Sequence, residues 1–187
     1  MRSLPIMKAA FAALAASLLA GCLVSDEPVL DASNGSASPL AEGAYRACED
    51  NDEAGDCTNF AVTRRADGAY ALKAQDEEEP AVLRFRRIAA KAYAVQSAED
   101  DGYAYYYGAG DSGAFALTMM SCKDLPEKLR ARLLEKGDLA TDDSDFEVCT
   151  VNTLKGLVEA AKAYHRGKTT GDDDALIALK PAPSAGD

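Results

Sequence analysis

The stretch GYAYYYGAGDSGAFALTM, residues 102–119, is the most informative guide to the fold of this chain. Bulky residues occupy every second position on both sides of a Gly-rich break at residues 108–113. They are Tyr103, Tyr105, Tyr107, Phe115, Leu117 and Met119. A period of two is typical of strands with one buried face, because successive side chains point to opposite faces of a sheet. The stretch therefore predicts two strands joined by a tight turn.

The same alternation recurs upstream, at the spacing of one strand and one turn. The alternating pairs are Phe60 and Val62, Tyr70 and Leu72, Leu83 and Phe85, and Tyr93 and Val95. Turn residues separate these segments, for example at Ala66–Gly68 and Glu99–Gly102. Short connections of this kind favour an antiparallel meander.

Two helices are predicted to follow the strands. Glu127–Lys136 has leucines at helical spacing, and Thr153 is placed to cap a second helix that continues to Arg166. Two further strands are predicted at Phe146–Val151 and Ala175–Lys180. The fold class is therefore α+β, a mostly antiparallel β-meander with two C-terminal helices. The sheet closes into a barrel if the last strand pairs with the first.

The N-terminus carries a second informative pattern. Arg2 and Lys8 precede an uncharged apolar run, Ala9–Leu19, which is shorter than the roughly 20 residues that a membrane-spanning helix needs. The run ends in Leu19-Ala-Gly-Cys22. This ending resembles the lipobox of bacterial lipoproteins, which are cut just before a cysteine that carries the lipid. The alternative is an ordinary signal peptide, with Cys22 present by chance or paired with another cysteine.

The resemblance implies a location as well as a modification. Cys22 would become the first residue of the mature protein and would hold the membrane through a thioether-linked diacylglycerol and an N-acyl chain. Leu23 follows it, where an Asp often signals retention in the inner membrane of related lipoproteins. The implied location is therefore the outer membrane, with the protein facing the periplasm.

The chain divides into four regions on this interpretation. Residues 1–21 are a signal peptide, and residues 22–41 are a flexible tether, because Ser25–Ala41 is rich in Ser, Ala, Asp and Pro without periodicity. Residues 42–180 form a single β-rich domain, and residues 181–187 form a disordered tail.

Charge narrows the range of partners. Without residues 1–21, 18 basic residues face 31 acidic ones, a net charge of −13. This charge disfavours nucleic acid, and we predict no nucleic-acid partner, because binding needs Lys and Arg to neutralise phosphates. A basic protein or a cell-wall partner suits this charge better, and the membrane is reached through the lipid on Cys22.

Four cysteines remain once Cys22 is set aside. An even number in an oxidising compartment predicts two disulfides, and of the three pairings we favour Cys48–Cys57 and Cys122–Cys149, since each closes a local loop. Zinc is not expected, because the chain lacks a C-x-x-C spacing and has a single histidine, His165. We predict no cofactor and no metal site.

Two motifs invite a chemical interpretation and do not support it. Gly110–Gly113 spells the tetrapeptide around the nucleophile of trypsin-like serine proteases, but the histidine base that such a serine needs would have to be His165, on a predicted helix. A hairpin turn explains the tetrapeptide better. The acidic clusters Glu49–Glu53, Asp142–Asp145 and Asp172–Asp174 lack the ligand pattern of a calcium loop and are interpreted as solvated loops.

The predicted function is a non-enzymatic binding or envelope-structural module. A binding face is predicted at Tyr106, which alternation places opposite the other tyrosines of its strand, together with Arg84 and Arg86. One alternative is a carrier of an amphiphile or glycan, lined by Tyr103, Tyr105 and Phe115. A weaker alternative is a hydrolase that uses carboxylates such as Asp100 and Asp101.

Overall fold

The computed structural model describes residues 23–48, 57–75, 77, 79–141, 148–167 and 177–182. Its strands are β1 Leu23–Ser25, β2 Gly43–Cys48, β3 Cys57–Arg64, β4 Tyr70–Ala74, β5 Ala81–Ala89, β6 Ala92–Glu99, β7 Gly102–Asp111, β8 Ala114–Met119, β9 Leu139–Ala140, β10 Cys149–Val151 and β11 Ile177–Pro181. Its helices are α1 Glu127–Glu135 and α2 Leu154–Gly167.

Eight strands close into an antiparallel barrel. Strands β2 to β8 pair in sequence order, and β11 fills the gap between β8 and β2. In β11, Leu179 lies opposite Phe115 of β8 on one side and Ala47 of β2 on the other. The predicted antiparallel meander with two C-terminal helices is therefore confirmed, and the barrel that the sequence allowed is closed by β11.

The barrel interior is filled by side chains. Tyr70, Phe85, Tyr93 and Phe115 are each at most 3% exposed, and the ring centroids of neighbours among them lie 5.3 to 6.4 Å apart. Gly108 makes room for them, because a Cβ there would lie 2.7 Å from the Phe115 ring. The interior is thus a packed core, held by edge-to-face and tilted aromatic contacts.

A branch leaves the barrel wall at β7. The first half of β7 pairs with β1, where Tyr105 lies opposite Leu23, and its second half pairs with β8 from Tyr106 onward. Strand β1 also pairs with β10 in parallel, and β10 pairs with β9. A second hydrophobic core fills the space between this outer wall and the helices. Its largest fully buried members include Leu23, Tyr105, Met120, Leu133 and Leu157.

Helix α2 begins with the predicted capping residue, and helix α1 ends at a glycine. The hydroxyl of Thr153 accepts a hydrogen bond from the Gly156 N–H at 3.0 Å, which satisfies a free donor in the first turn of α2. Gly137 ends α1 with φ +68°, a conformation that favours glycine. None of the helices in the described ranges is long and apolar enough to cross a membrane.

Several predicted features lie outside the described residues. They are the signal peptide 1–21, Cys22, the three acidic clusters and residues 183–187. Of the predicted tail, Pro181 belongs to β11, and the Ala182 N–H donates to the Ala44 carbonyl at 2.9 Å. The structured part of the chain therefore continues past residue 180.

Candidate functional site

Residues 23–42, which we name the N-terminal segment, pack against the barrel. Leu23 and Leu30 are fully buried, and Leu40 is 5% exposed. The prediction of a flexible tether over residues 22–41 is therefore wrong for its described part. Composition misled the prediction, because three leucines spaced along a polar segment are enough to hold it in the two cores.

A buried polar network fixes the first part of this segment. The side-chain oxygen of Gln96 accepts from the Leu30 N–H at 2.7 Å, and its amide nitrogen donates to the Leu30 carbonyl at 3.0 Å. Ser25 Oγ lies 2.6 Å from the Tyr105 hydroxyl, which also accepts from the Val29 N–H at 3.3 Å. Burial raises the pKa of Tyr105, which stays a neutral hydrogen-bonding group at physiological pH. These side chains supply the hydrogen bonds that water would otherwise make to the buried backbone, which forms few hydrogen bonds to neighbouring strands.

The second part of the segment runs beside β5. The Ala37 N–H donates to the Phe85 carbonyl at 2.9 Å, and the Arg86 guanidinium donates to the Asn34 carbonyl at 2.9 Å. Asp31 folds the intervening turn by accepting from the Ser33 hydroxyl and backbone, and these bonds lower the pKa of its carboxyl. The segment thus lies along the barrel wall and uses Arg86 to stay there.

The structure does not bring the three residues of the predicted binding face together. Tyr106 packs against the interior cluster of the barrel, whereas Arg86 lies on the outer wall under the N-terminal segment. Arg84 donates to the Asp67 carboxylate at 2.6 Å and to its carbonyl at 3.0 Å. Both arginines are therefore engaged within the fold.

The alternation of side chains along β7 was predicted correctly, but the side that faces the barrel interior is the opposite of the one expected. Tyr105 and Tyr107 are buried on the outer wall, beneath the helices and the N-terminal segment, while Tyr106 faces inward. Small residues take the other inward positions, such as Gly108, because Phe115 occupies the space. Tyr105 and Phe115 consequently lie in different cores and do not line a common cup.

An open depression lies at the end of the barrel that carries the β3–β4 turn. It has a volume of about 710 Å³ and is lined by Ser38, Leu40, Glu42, Arg64, Arg65, Ala66, Gly68 and Tyr70. Arg65 is 52% exposed and lies 3.8 Å from Asp67. Sequence reasoning missed this place, because it depends on the N-terminal segment returning to the barrel mouth.

The single histidine is engaged on the outer wall. The Tyr107 hydroxyl lies 2.7 Å from Nδ1 of His165, and the two rings stack with centroids 5.8 Å apart. Ser112 is exposed in the β7–β8 turn, five residues beyond Tyr107, or about 17 Å along an extended strand. The structure therefore places His165 against a tyrosine and away from the Gly-Asp-Ser-Gly turn, as expected for a hairpin.

One predicted disulfide is present. Cys122 and Cys149 are joined, with their Cα atoms 5.7 Å apart, and both are fully buried. Cys48 and Cys57 are opposite each other in the β2–β3 ladder. The side chain of Cys48 lies outside the described part of the chain, so their bridge stays a prediction.

Within the described ranges, no group of three or more His, Cys, Asp or Glu side chains is arranged to hold a metal ion. The chain matches no family model, no curated protein and no solved structure.

Proposed function

We propose that this chain is a lipid-anchored protein of the bacterial cell envelope, and that its barrel is a non-enzymatic binding or envelope-structural module. The observation that carries the proposal is that the implied cleavage site lies next to a packed strand. The cut that the lipobox-like sequence Leu19–Cys22 implies falls one residue before β1, whose Leu23 is fully buried and lies opposite Tyr105 of the barrel wall.

The disulfide supports a location in an oxidising compartment. Bridges such as Cys122–Cys149 form and persist in oxidising surroundings, and the periplasm is one of them. The net charge of −13 without the leader supports a domain held outside the bilayer.

The packing of the barrel supports binding on its outside rather than within it. A ligand in the interior would have to displace Phe85 and Phe115, which are at most 2% exposed. The depression beside Arg64 and Arg65 is open and polar, and it suits a contact with another macromolecule. The carrier alternative has no comparable support in the interior.

A non-enzymatic role is supported by the surroundings of the candidate catalytic groups. The nitrogen of His165 that faces the barrel is taken by Tyr107, and Ser112 serves a turn. Asp100 and Asp101 are exposed in the β6–β7 turn, where their carboxylates are open to solvent.

Metabolic labelling tests the anchor. Cells that express the full chain are fed radiolabelled palmitate, and the protein is isolated from membrane and soluble fractions. Label and membrane association are expected for the wild type and for Ser17→Ala, a control within the apolar leader. Both should be lost in Cys22→Ala. Equal labelling of Cys22→Ala, or no label in the wild type, would refute the anchor.

Site-specific cross-linking tests the binding role. A photoreactive residue at Arg65 is expected to form a discrete adduct in intact envelopes, whereas the same residue at Lys73, exposed on β4, serves as the control. Adducts of the same mass and yield at both positions would count against the depression as a contact surface.

A further inference from the structure

The fold leaves no spacer between the proposed lipid and the domain. Leu23 is fully buried, and its N–H donates to the Met120 carbonyl at 2.9 Å. Consecutive Cα atoms are about 3.8 Å apart, so a lipid on Cys22 is attached one residue away from the hydrophobic core. A flexible tether would let the domain move away from the bilayer, whereas this junction does not.

The strands beside β1 show which part of the domain lies next to the anchor. Leu23 lies opposite Cys149 in the parallel β1–β10 pair, and neighbouring strands are about 5 Å apart. Cys149 is bridged to Cys122, whose Cα lies 5.7 Å farther on. The attachment point is therefore no more than about 15 Å from Cys122. The polar layer of a bilayer is about 5–8 Å thick, so the residues around Cys122 lie close to the headgroups when the lipid is inserted.

The chain around this bridge has a small excess of basic side chains in an otherwise acidic protein. Residues 121–130 contain three basic side chains, Lys123, Lys128 and Arg130, and two acidic ones, Asp124 and Glu127. Lys123 and Lys128 are exposed, and the Arg130 guanidinium donates to the Lys123 carbonyl at 3.1 Å, which holds α1 beside the bridge. Basic side chains next to a lipid anchor are attracted to anionic headgroups.

We infer that residues 121–130, which we name the anchor-side face, lie against the headgroups of an anionic phospholipid bilayer. The inference rests on the proposed lipidation of Cys22. The lipid and the exposed lysines then hold the domain in one orientation. Tyr105, which lies opposite Leu23, is three residues from the β6–β7 end of β7 and six from its β7–β8 end. Successive turns of an antiparallel barrel lie at alternate ends, so the β7–β8 turn and the depression at the β3–β4 turn share the end that is farther from the attachment point.

A single tryptophan reports the orientation, because the chain contains none. The lipidated variant Lys123→Trp is reconstituted in vesicles of anionic phospholipid with brominated acyl chains, which quench nearby tryptophan. Ser112→Trp is the matched control, since Ser112 is also exposed but lies nine residues from Ser121 along β8, roughly 25–30 Å away. Lys128→Trp provides a second probe on α1 in case Lys123→Trp does not fold. Mass spectrometry of each sample measures lipidation separately.

Quenching several-fold stronger in the Lys123→Trp variant than in the Ser112→Trp variant is the expected result. Inserting 12 Gly/Ser residues between Cys22 and Leu23 adds a coil of about 20 Å and should lower the quenching of Lys123→Trp to the level of the control. Equal quenching of the two variants, or quenching of Lys123→Trp that the insertion leaves unchanged, would overturn the inference. An absence of lipid in the mass spectrum would instead refute the proposed function.

Discussion

Ser25 Oγ lies 2.6 Å from the hydroxyl of Tyr105, and this contact joins β1 to β7. Ser25 is 6% exposed and Tyr105 is fully buried, so water does not compete for the bond. The Ser25 hydroxyl also donates to the Glu27 carbonyl at 2.6 Å. The pair therefore fixes the chain where it turns from β1 into the rest of the N-terminal segment.

Replacing the buried hydroxyl tests this network. Tyr105→Phe keeps the ring in place but removes the contact with Ser25 Oγ and leaves the Val29 N–H without its partner. Because buried polar groups that lose a partner cost about 1–3 kcal/mol, the free energy of unfolding should fall by that amount. Urea denaturation followed by circular dichroism measures it.

Tyr103→Phe is the matched control for this variant. Tyr103 is half-buried on the same strand, and its hydroxyl has no hydrogen bond to the described residues. Its removal should change the unfolding free energy by less than about 0.5 kcal/mol. Equal losses for the two variants would show that the Tyr105 network is not a specific source of stability.

The packed interior predicts the effect of one added methyl group. In Gly108→Ala, the new Cβ would meet the Phe115 ring at 2.7 Å and Val95 at 2.8 Å. Overpacking of this kind typically costs about 1–3 kcal/mol, so the thermal midpoint should fall. Gly113→Ala adds the same methyl where its nearest neighbour is 3.4 Å away, and it should be close to neutral. A neutral Gly108→Ala would mean that the barrel interior has unfilled space.

The Cys122–Cys149 bridge closes a sequence separation of 27 residues. On the loop-entropy model, a bridge of this span stabilises by about 3–4 kcal/mol. The double variant Cys122→Ala/Cys149→Ala should lose roughly that much stability in urea. Added reductant should then have a smaller effect on the double variant than on the wild type. No loss in the variant would show that the bridge does not brace the fold.

Asp138 predicts a dependence of stability on pH. Its carboxylate accepts from Lys155 Nζ and from the Thr153 hydroxyl, both at 2.7 Å, and these bonds lower the pKa of Asp138. A lowered folded-state pKa contributes stability above the unfolded-state value near 4, and this contribution is lost as pH falls through the folded-state pKa. The contact links the chain three residues after the end of α1 to the start of α2.

Asp138→Asn should therefore be less stable than the wild type at pH 7, and the difference should shrink as the pH falls below about 4. Urea unfolding at a series of pH values measures it. Asp101→Asn is the control, because Asp101 is exposed in the β6–β7 turn and its carboxylate makes no hydrogen bond or ion pair within the described residues. A difference between wild type and Asp138→Asn that is constant with pH would contradict the assigned role of the charge.

Sequence periodicity predicted the strands because it reports which positions alternate, and it could not report which face is inside. In β7 both faces are covered, one by the opposite wall of the barrel and one by helix α2 and the N-terminal segment. Tyr105 and Tyr107 fill the wider outer space, while Gly108 faces the crowded interior. The face on which Tyr106 lies could therefore be assigned only from the closed barrel.

The N-terminal segment was not predictable from local composition. Its single strand, β1, has three residues and is stabilised by β7 and β10, which lie far away in the sequence. Beyond β1, the side chain of Gln96 pairs with the backbone of Leu30 in the manner of a neighbouring strand. Such contacts are set by tertiary structure, which a scan for periodicity does not detect.

Hydrogen exchange at the backbone amides of Leu23, Leu30 and Ala37 tests most directly whether the N-terminal segment packs against the barrel. Each of these N–H groups donates to a named acceptor in the barrel or its branch. We expect protection comparable to that of the β6–β7 ladder, because these amides exchange only when the packed segment opens. Exchange at the rate of an unstructured peptide would show that residues 23–41 are a tether and would contradict the packing of the N-terminal segment.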